Sequence, residues 1–321
     1  MILVCGEALF DLFAEEDGAR LSFDARIGGS PFNVAVGLAR LGAPAAYFGA
    51  LSSDLFGARL RRALTREGVD ISLAKATTAL TTLSVVGVDA HGSPAYAFYG
   101  DNAADRQVFP EDLPELPETI SALHIGSFSA LVPPVGEALL ALVRREHGRR
   151  LIAYDPNVRP TVVPDLDAWR ARIEALLPHV DLLKISSEDA GTLYPGVDLD
   201  ELADTFLRKG PALVITTLGV GGAVGRTVRH RVALDGRRVA VSDTVGAGDT
   251  FQAALLTCLH ETGRTDRDSL ADLTQDALTS LLAFAVDAAA VTCTRRGADL
   301  PRRDEIDTEL DKRAEPPLSA P

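Results

Sequence analysis

The chain has 321 residues, 46% hydrophobic and 24% charged, enough to bury the core of one large domain or about two ordinary ones. A net charge of −13 disfavours a nucleic-acid partner, which needs a basic surface, but leaves ATP possible through local loops and a metal. Cys5, Cys258 and Cys293 sit in apolar runs without ligand spacing and read as buried free thiols of a reducing compartment; with no basic N-terminal region and no apolar run approaching a membrane span, a soluble cytoplasmic protein is expected.

In chain order, residues 2–6 read as a first strand, followed by Glu7 and Asp11, and an extended segment is expected near residues 21–27. Ser30-Pro31 opens a helix to about Leu41, with Ser30 as cap, Pro31 in the first turn and Gly42 as the stop. Residues 45–51 read as a strand and 54–67 as a helix ended by Gly68. Two β-prone runs, 82–88 and 95–99, flank a Gly/Ser/Pro turn and predict a hairpin. Strands near 122–125, 151–154, 181–185 and 212–217 then alternate with helices from about Val135 and near Trp169. Such alternation indicates a mostly parallel sheet covered by helices. Helices over 248–260 and 276–293 close the core, and a disordered tail is expected from about Lys312. The expected organisation is a single α/β domain over residues 1–310, carrying a small β element, with a tail over 311–321.

Several segments carry chemistry. Gly246-Ala247-Gly248-Asp249 places glycines and a carboxylate at a helix start, where unpaired N–H groups suit an anion. Alone, it is also an ordinary strand-to-helix turn. No Gly-Lys-Ser/Thr follows, so it is not a Walker A loop, and the dinucleotide fingerprint fails for want of a third glycine. In Gly28-Gly29-Ser30-Pro31-Phe32-Asn33 the glycines permit close approach of a ligand, and Asn33 offers both donor and acceptor; a capped helix start explains it equally. Thr217-Leu218-Gly219-Val220-Gly221-Gly222 is either a hairpin turn or a purine-nucleotide loop. Asp155-Pro156-Asn157-Val158-Arg159 ends a strand, where ligands of open α/β sheets collect, and the Arg159 guanidinium suits phosphate or sugar hydroxyls. Asp11 could accept two bonds from vicinal hydroxyls. The six histidines form no ligand pattern.

Taken in order, the segment from Gly28 to Gly42 and that from Asp243 to Phe251 resemble the N- and C-terminal signatures of the ribokinase-like (PfkB) carbohydrate kinases. The Ser-Pro-Phe-Asn variant and Phe98-Tyr99-Gly100-Asp101-Asn102-Ala103-Ala104-Asp105-Arg106 are most similar to the bacterial fructokinase branch. The resemblance implies a three-layer α/β/α core with a β lid from about 12–27 and 82–105. It implies ATP-dependent phosphorylation of a sugar, D-fructose first. Asp249 would be the general base and the N–H groups of Gly246, Ala247 and Gly248 the anion hole. Asp11, Gly28, Gly29 and Asn33 would bind sugar, with Phe98 and Arg106 from the lid and Arg159 on sugar or phosphate. ATP would lie along Lys184, Thr217, Gly219 and Gly222, towards Gly248, with Mg2+. A monovalent cation such as K+ would take main-chain oxygens of Asp243, Val245, Thr292 and Gly297. Many relatives carry Asn-x-x-Glu where this chain has Ser186-Ser187-Glu188-Asp189, so either Glu188 or Asp189 would be the magnesium-organising acid. Relatives pair through the lid, so a homodimer is expected. The alternatives are a kinase for 2-keto-3-deoxygluconate, ribose or a riboside, and a non-catalytic sugar-binding protein.

Overall fold

In the computed structural model, residues 1–17, 20–88 and 94–306 are described. The expected disordered tail and the middle of the 82–99 hairpin turn lie outside the described residues. The chain begins with β1 (Ile2–Cys5), β2 (Leu9–Asp17), β3 (Arg20–Gly28), helix α1 (Ser30–Arg40), β4 (Ala45–Phe48), β5 (Ala50–Ser52), α2 (Leu55–Arg66), β6 (Lys75–Thr77), β7 (Leu83–Val88) and β8 (Pro94–Tyr99). Strands and helices then alternate: β9 (Ala122–Gly126), α3 (Val135–Glu146), β10 (Leu151–Asp155), α4 (Leu166–Leu176), β11 (Leu182–Ser186), α5 (Ser187–Leu193), α6 (Leu199–Lys209) and β12 (Leu213–Thr217). The hairpin β13 (Ala223–Arg226) and β14 (Arg231–Leu234) and the helices α7 (Ala247–Glu261), α8 (Arg267–Ala271) and α9 (Gln275–Cys293) follow.

Eight strands form one sheet, in the order β14-β13-β12-β11-β10-β9-β1-β4. It is parallel from β12 to β4, and the β13–β14 hairpin adds an antiparallel edge. Parallel strands are covered on both faces, which explains the nearly unbroken apolar runs. Period-two alternation then divides the core: Ile2 and Val4 face one side, with α1, α2, α7 and α9, while Leu3 and Cys5 face the other, with α3, α4 and α6. The result is the expected three-layer α/β/α architecture. From β1 the chain builds outward in both directions, to β4 on one side and to β9 and β10 on the other. That reversal is a topological switch point, beyond whose carboxyl ends ligands bind.

A second sheet, β3-β2-β7-β8, begins at Leu9 rather than near residue 12, because β2 pairs with β3 along its whole length. The expected strand over 45–51 is divided, since β4 joins the large sheet while β5 pairs with β6. Only Cys5 is a fully buried thiol; Cys258 and Cys293 are half-buried. α9 is long and apolar enough to cross a membrane by length and composition, contrary to the sequence expectation. It packs on α7 as a core helix.

Candidate active site

A cleft of about 1310 Å³ separates the small sheet from the carboxyl ends of the large one. Asp11, Phe13 and Val86 line it from the small sheet, Ser186 and Thr217 from strand ends, and Gly246 to Asp249 from the start of α7.

α7 starts where Gly246 adopts φ 80°, ψ −3°, a left-handed conformation that glycine tolerates best. A Cβ added there would also stand 2.8 Å from that of Ala298. The first helical bond runs from Thr250 N–H to the Gly246 carbonyl at 2.8 Å, so the N–H groups before it lack α-helical partners. Ala247 N–H donates to the Thr244 carbonyl at 3.2 Å; of the three expected anion-hole donors, it is already engaged in a turn.

Asp249 lies in this first turn and faces the first turn of α1. Ser30 Oγ donates to its Oδ1 at 2.6 Å and Asn33 Nδ2 to its Oδ2 at 2.8 Å. Burial raises the Asp249 carboxyl above its ordinary value, offset in part by these two bonds and by the positive charge of Arg159. Ser30 was expected to cap α1. Instead Gly29 is the cap residue, without a side-chain bond, and the Ser30 hydroxyl serves Asp249.

At the lid end, Asp11 pairs in register with Ser84 across β2 and β7. Burial raises its carboxyl, opposed by the Ser84 hydrogen bond and by Arg159. Gly28 is held to glycine by this carboxylate: an added Cβ would lie 2.3 Å from Asp11 Oδ2. Gly28, Gly29, Asn33, Phe98 and Arg159 line the same cleft. Arg106 does not; its guanidinium stacks behind the Phe98 ring, 5.8 Å from the centroid, and lines a small neighbouring pocket.

At the opposite end, Lys184 on β11 is 4% exposed and its Nζ donates to Asp155 Oδ2 at 2.5 Å. An ideal Cβ on Gly248 would be 3.6 Å from that Nζ, which puts the ammonium beside the α7 start. Asp155 Oδ1 is buried without a hydrogen-bond partner among the described residues. Ser186 caps α5 by accepting from Asp189 N–H at 2.9 Å. The Asp189 carboxylate accepts from Val158 N–H at 3.2 Å, and burial, then the Asp155 charge, pushes it up to about 6. Glu188, the other acid of this segment, is exposed at the cleft wall. Among the described residues no group of three or more His, Cys, Asp or Glu is placed to hold a metal ion. Thr217, Gly219 and Gly222 form the tight link between β12 and the antiparallel β13 and line the cleft. The hairpin geometry and a nucleotide-facing loop are thus compatible.

Asp243, Val245 and Gly297 also line the cleft, but Thr292 does not; it is buried, its hydroxyl 2.7 Å from that of Thr250. Asp243 Oδ2 accepts from Gly297 N–H at 2.8 Å and Oδ1 from Val245 N–H at 3.1 Å, tying the two segments together. Burial alone would raise Asp243, but these backbone donors and that of Thr244 outweigh it and hold the carboxyl low. The Thr292 and Gly297 carbonyls already accept from Arg295 and Asp299 N–H, at 3.0 and 2.8 Å.

Residues not assigned from the sequence are Ser30 as a partner of Asp249, Asp155 as the counter-charge of Lys184, and Glu7. Glu7 is 1% exposed and lies behind Ser30, accepting from its N–H at 3.3 Å and from the Ser129 hydroxyl. A strand followed by an acid was the available signal; its partner lies far along the chain. Burial pushes Glu7 up to about 7 from 4.5, against the opposing bonds from Ser129 and Ser127. The folded protein therefore holds this proton more tightly than the unfolded chain. The associated stability is complete below pH 4.5 and is lost as pH rises to about 7. Across that window the wild type should lose up to about 1.4 kcal/mol per pH unit relative to Glu7→Gln. Urea unfolding of both proteins at pH 5 and pH 8 tests this, and an unchanged difference would refute it.

The family model for pfkB family carbohydrate kinases matches residues 1–305. The chain is 38% identical over 279 residues to a fructokinase of Rhizobium leguminosarum bv. trifolii, covering 87% of this chain and 85% of that protein. It is similar to the crystal structure of fructokinase with bound ATP from Xylella fastidiosa, with a TM-score of 0.89, 27% identity and coverage of 98% and 99%. It is also similar to Salmonella enterica aminoimidazole riboside kinase complexed with aminoimidazole riboside and an ATP analogue, with a TM-score of 0.82, 26% identity and coverage of 96% and 99%.

Proposed function

The chain belongs to the pfkB family of carbohydrate kinases, and on that premise we propose that it transfers the γ-phosphoryl group of ATP to a primary hydroxyl of D-fructose, yielding fructose 6-phosphate and ADP. The observation that carries the reading is Asp249, buried at the start of α7 with both oxygens held by α1. In this mechanism Asp249 takes the hydroxyl proton as the sugar oxygen forms its bond to the γ-phosphorus. The bond from phosphorus to the bridging oxygen breaks, and its electrons leave with ADP. The N–H groups at the α7 start, Gly248 foremost, meet the charge on the transferred group.

Asp11, Gly29 and the carbonyl pole of Asn33 hold sugar hydroxyls, with Phe98 packing from the lid. Arg159 faces both Asp11 and Asp249, which suits a guanidinium at the junction of sugar and phosphate. Lys184 and the loop of Thr217, Gly219 and Gly222 hold ATP. Magnesium carried by the nucleotide would supply charge neutralisation; Asp189, which feels the charges of both Lys184 and Asp155, would organise it in preference to the exposed Glu188. Main-chain oxygens of the Asp243 and Gly297 segments would hold a monovalent cation, and exchange of K+ for tetramethylammonium should then reduce turnover. A homodimer through the lid covers Leu21 and Phe23, exposed by 57% and 45% on β3; a protomer mass in light scattering would count against it.

The decisive test is a panel of fructose, ribose, 2-keto-3-deoxygluconate and ribosides in a coupled ADP assay. Fructose should have the highest kcat/KM. A riboside is the second reading, favoured by the match to the Salmonella riboside kinase. Gly28→Ala should raise the KM for sugar about 10-fold by displacing Asp11, as one strained polar contact implies, with the KM for ATP unchanged. An unchanged sugar KM would remove Asp11 from the sugar site.

A further inference from the structure

We infer that Glu7 is a positioning residue for phosphoryl transfer: it satisfies the start of α1 from outside the helix and so releases the Ser30 hydroxyl to hold Asp249. This rests on Asp249 being the base.

A helix leaves its first N–H groups without partners, and a serine at that point ordinarily turns its hydroxyl onto the backbone. α1 has Gly29 as its cap residue and no side-chain cap of its own. The acceptor comes from the link between β1 and β2 instead, where Glu7 Oε1 takes the Ser30 N–H at 3.3 Å. Ser129 Oγ, donating to Oε2, secures the other side of the carboxyl group. The Ser30 hydroxyl, freed from the backbone, reaches Asp249 Oδ1 at 2.6 Å. Three segments distant in sequence are thereby joined in one chain of contacts, from the β1–β2 link through the first residue of α1 to the first turn of α7. A carboxyl group 1% exposed is costly to bury, and its contacts with Ser30 and Ser129 account for its retention there. Asp105 and Tyr47 also face it electrostatically.

The test is a kinetic cycle with Ser30→Ala, Glu7→Ala, Glu7→Gln and the Glu7→Ala/Ser30→Ala double variant, measuring kcat and both KM values. Glu7→Ala should lower kcat about 10- to 100-fold, the worth of one hydrogen bond to a charged group, with both KM values within about 3-fold. Glu7→Gln keeps an acceptor for the Ser30 N–H and should restore kcat to within about 3-fold of wild type. In the double variant the loss should be no greater than in the worse single variant, since both remove the same contact. Multiplying losses, no rescue by Gln, or a rise in KM in place of the fall in kcat each overturn the role. Asp249→Asn is the separate control. If it keeps full turnover, the assignment of the base fails; if it is inactive while the cycle is additive, only the positioning role fails.

Discussion

Asp249→Asn should lower kcat by about 10²- to 10⁴-fold while leaving both KM values within a few-fold of wild type. The substitution keeps the size of the side chain and removes the group that takes the proton. It also alters the local bonding, because both carboxylate oxygens accept from donors, Ser30 Oγ at 2.6 Å and Asn33 Nδ2 at 2.8 Å. An amide can accept at only one of its two positions, so some loss of stability accompanies the kinetic effect. Thermal unfolding of the variant separates the two contributions. Turnover within about 10-fold of wild type, in a folded variant, would exclude Asp249 as the base. Since burial raises the Asp249 carboxyl, the residue should act as a base only above a pKa higher than that of a free aspartate, and wild-type kcat should fall on acidification through that raised value.

The second large effect is on stability. Lys184 and Asp155 form a buried ion pair at 2.5 Å, with their side chains 4% and 3% exposed. Asp155→Ala leaves the ammonium in the cleft floor without its counter-charge, at a cost of about 3–5 kcal/mol in urea unfolding. Replacing both partners with apolar residues, as in Asp155→Leu/Lys184→Met, should recover most of that stability, since an apolar pair has no charge to desolvate. The double variant should still be inactive, because Lys184 is proposed to hold ATP. A single variant as stable as wild type would show that the pair does not carry this burden. Asp189, close enough to feel both charges, is the group that could partly compensate.

Much of the fold is legible because its signals are local. The nearly unbroken apolar runs of β1, β9, β10 and β12, and their alternation with helices, belong to a covered parallel sheet and require no knowledge of partners. Elements whose pattern is weaker were less legible. β2 carries Asp11 and three acids near its end, which interrupt its apolar pattern, and its strand character is defined by pairing with β3. The 45–51 run appeared continuous because its apolar character is continuous, yet its two halves hydrogen-bond to different sheets. Of the expected site residues, Arg106 and Thr292 stand outside the cleft, one behind Phe98 and one in the core.

The sequence by itself determined the three-layer α/β architecture, the family, and the candidate residues of a glycine-rich helix start with its acid. The glycine-rich helix start depends on residue type and spacing within a few turns of chain, and the family and its three-layer core on two such signatures, 28–42 and 243–251, read together. Only the tertiary structure decided how those residues are used. Ser30, a helix cap by local rules, reaches Asp249 across 219 positions, and Asn33 across 216. Glu7 and Asp155, both acids at strand ends, acquire their partners only when the strands align in one sheet and α1 packs on α7. The physical reason is that a hydroxyl or carboxylate satisfies the nearest suitable group in space, and distant contacts replace the local choice once packing brings them within hydrogen-bond range.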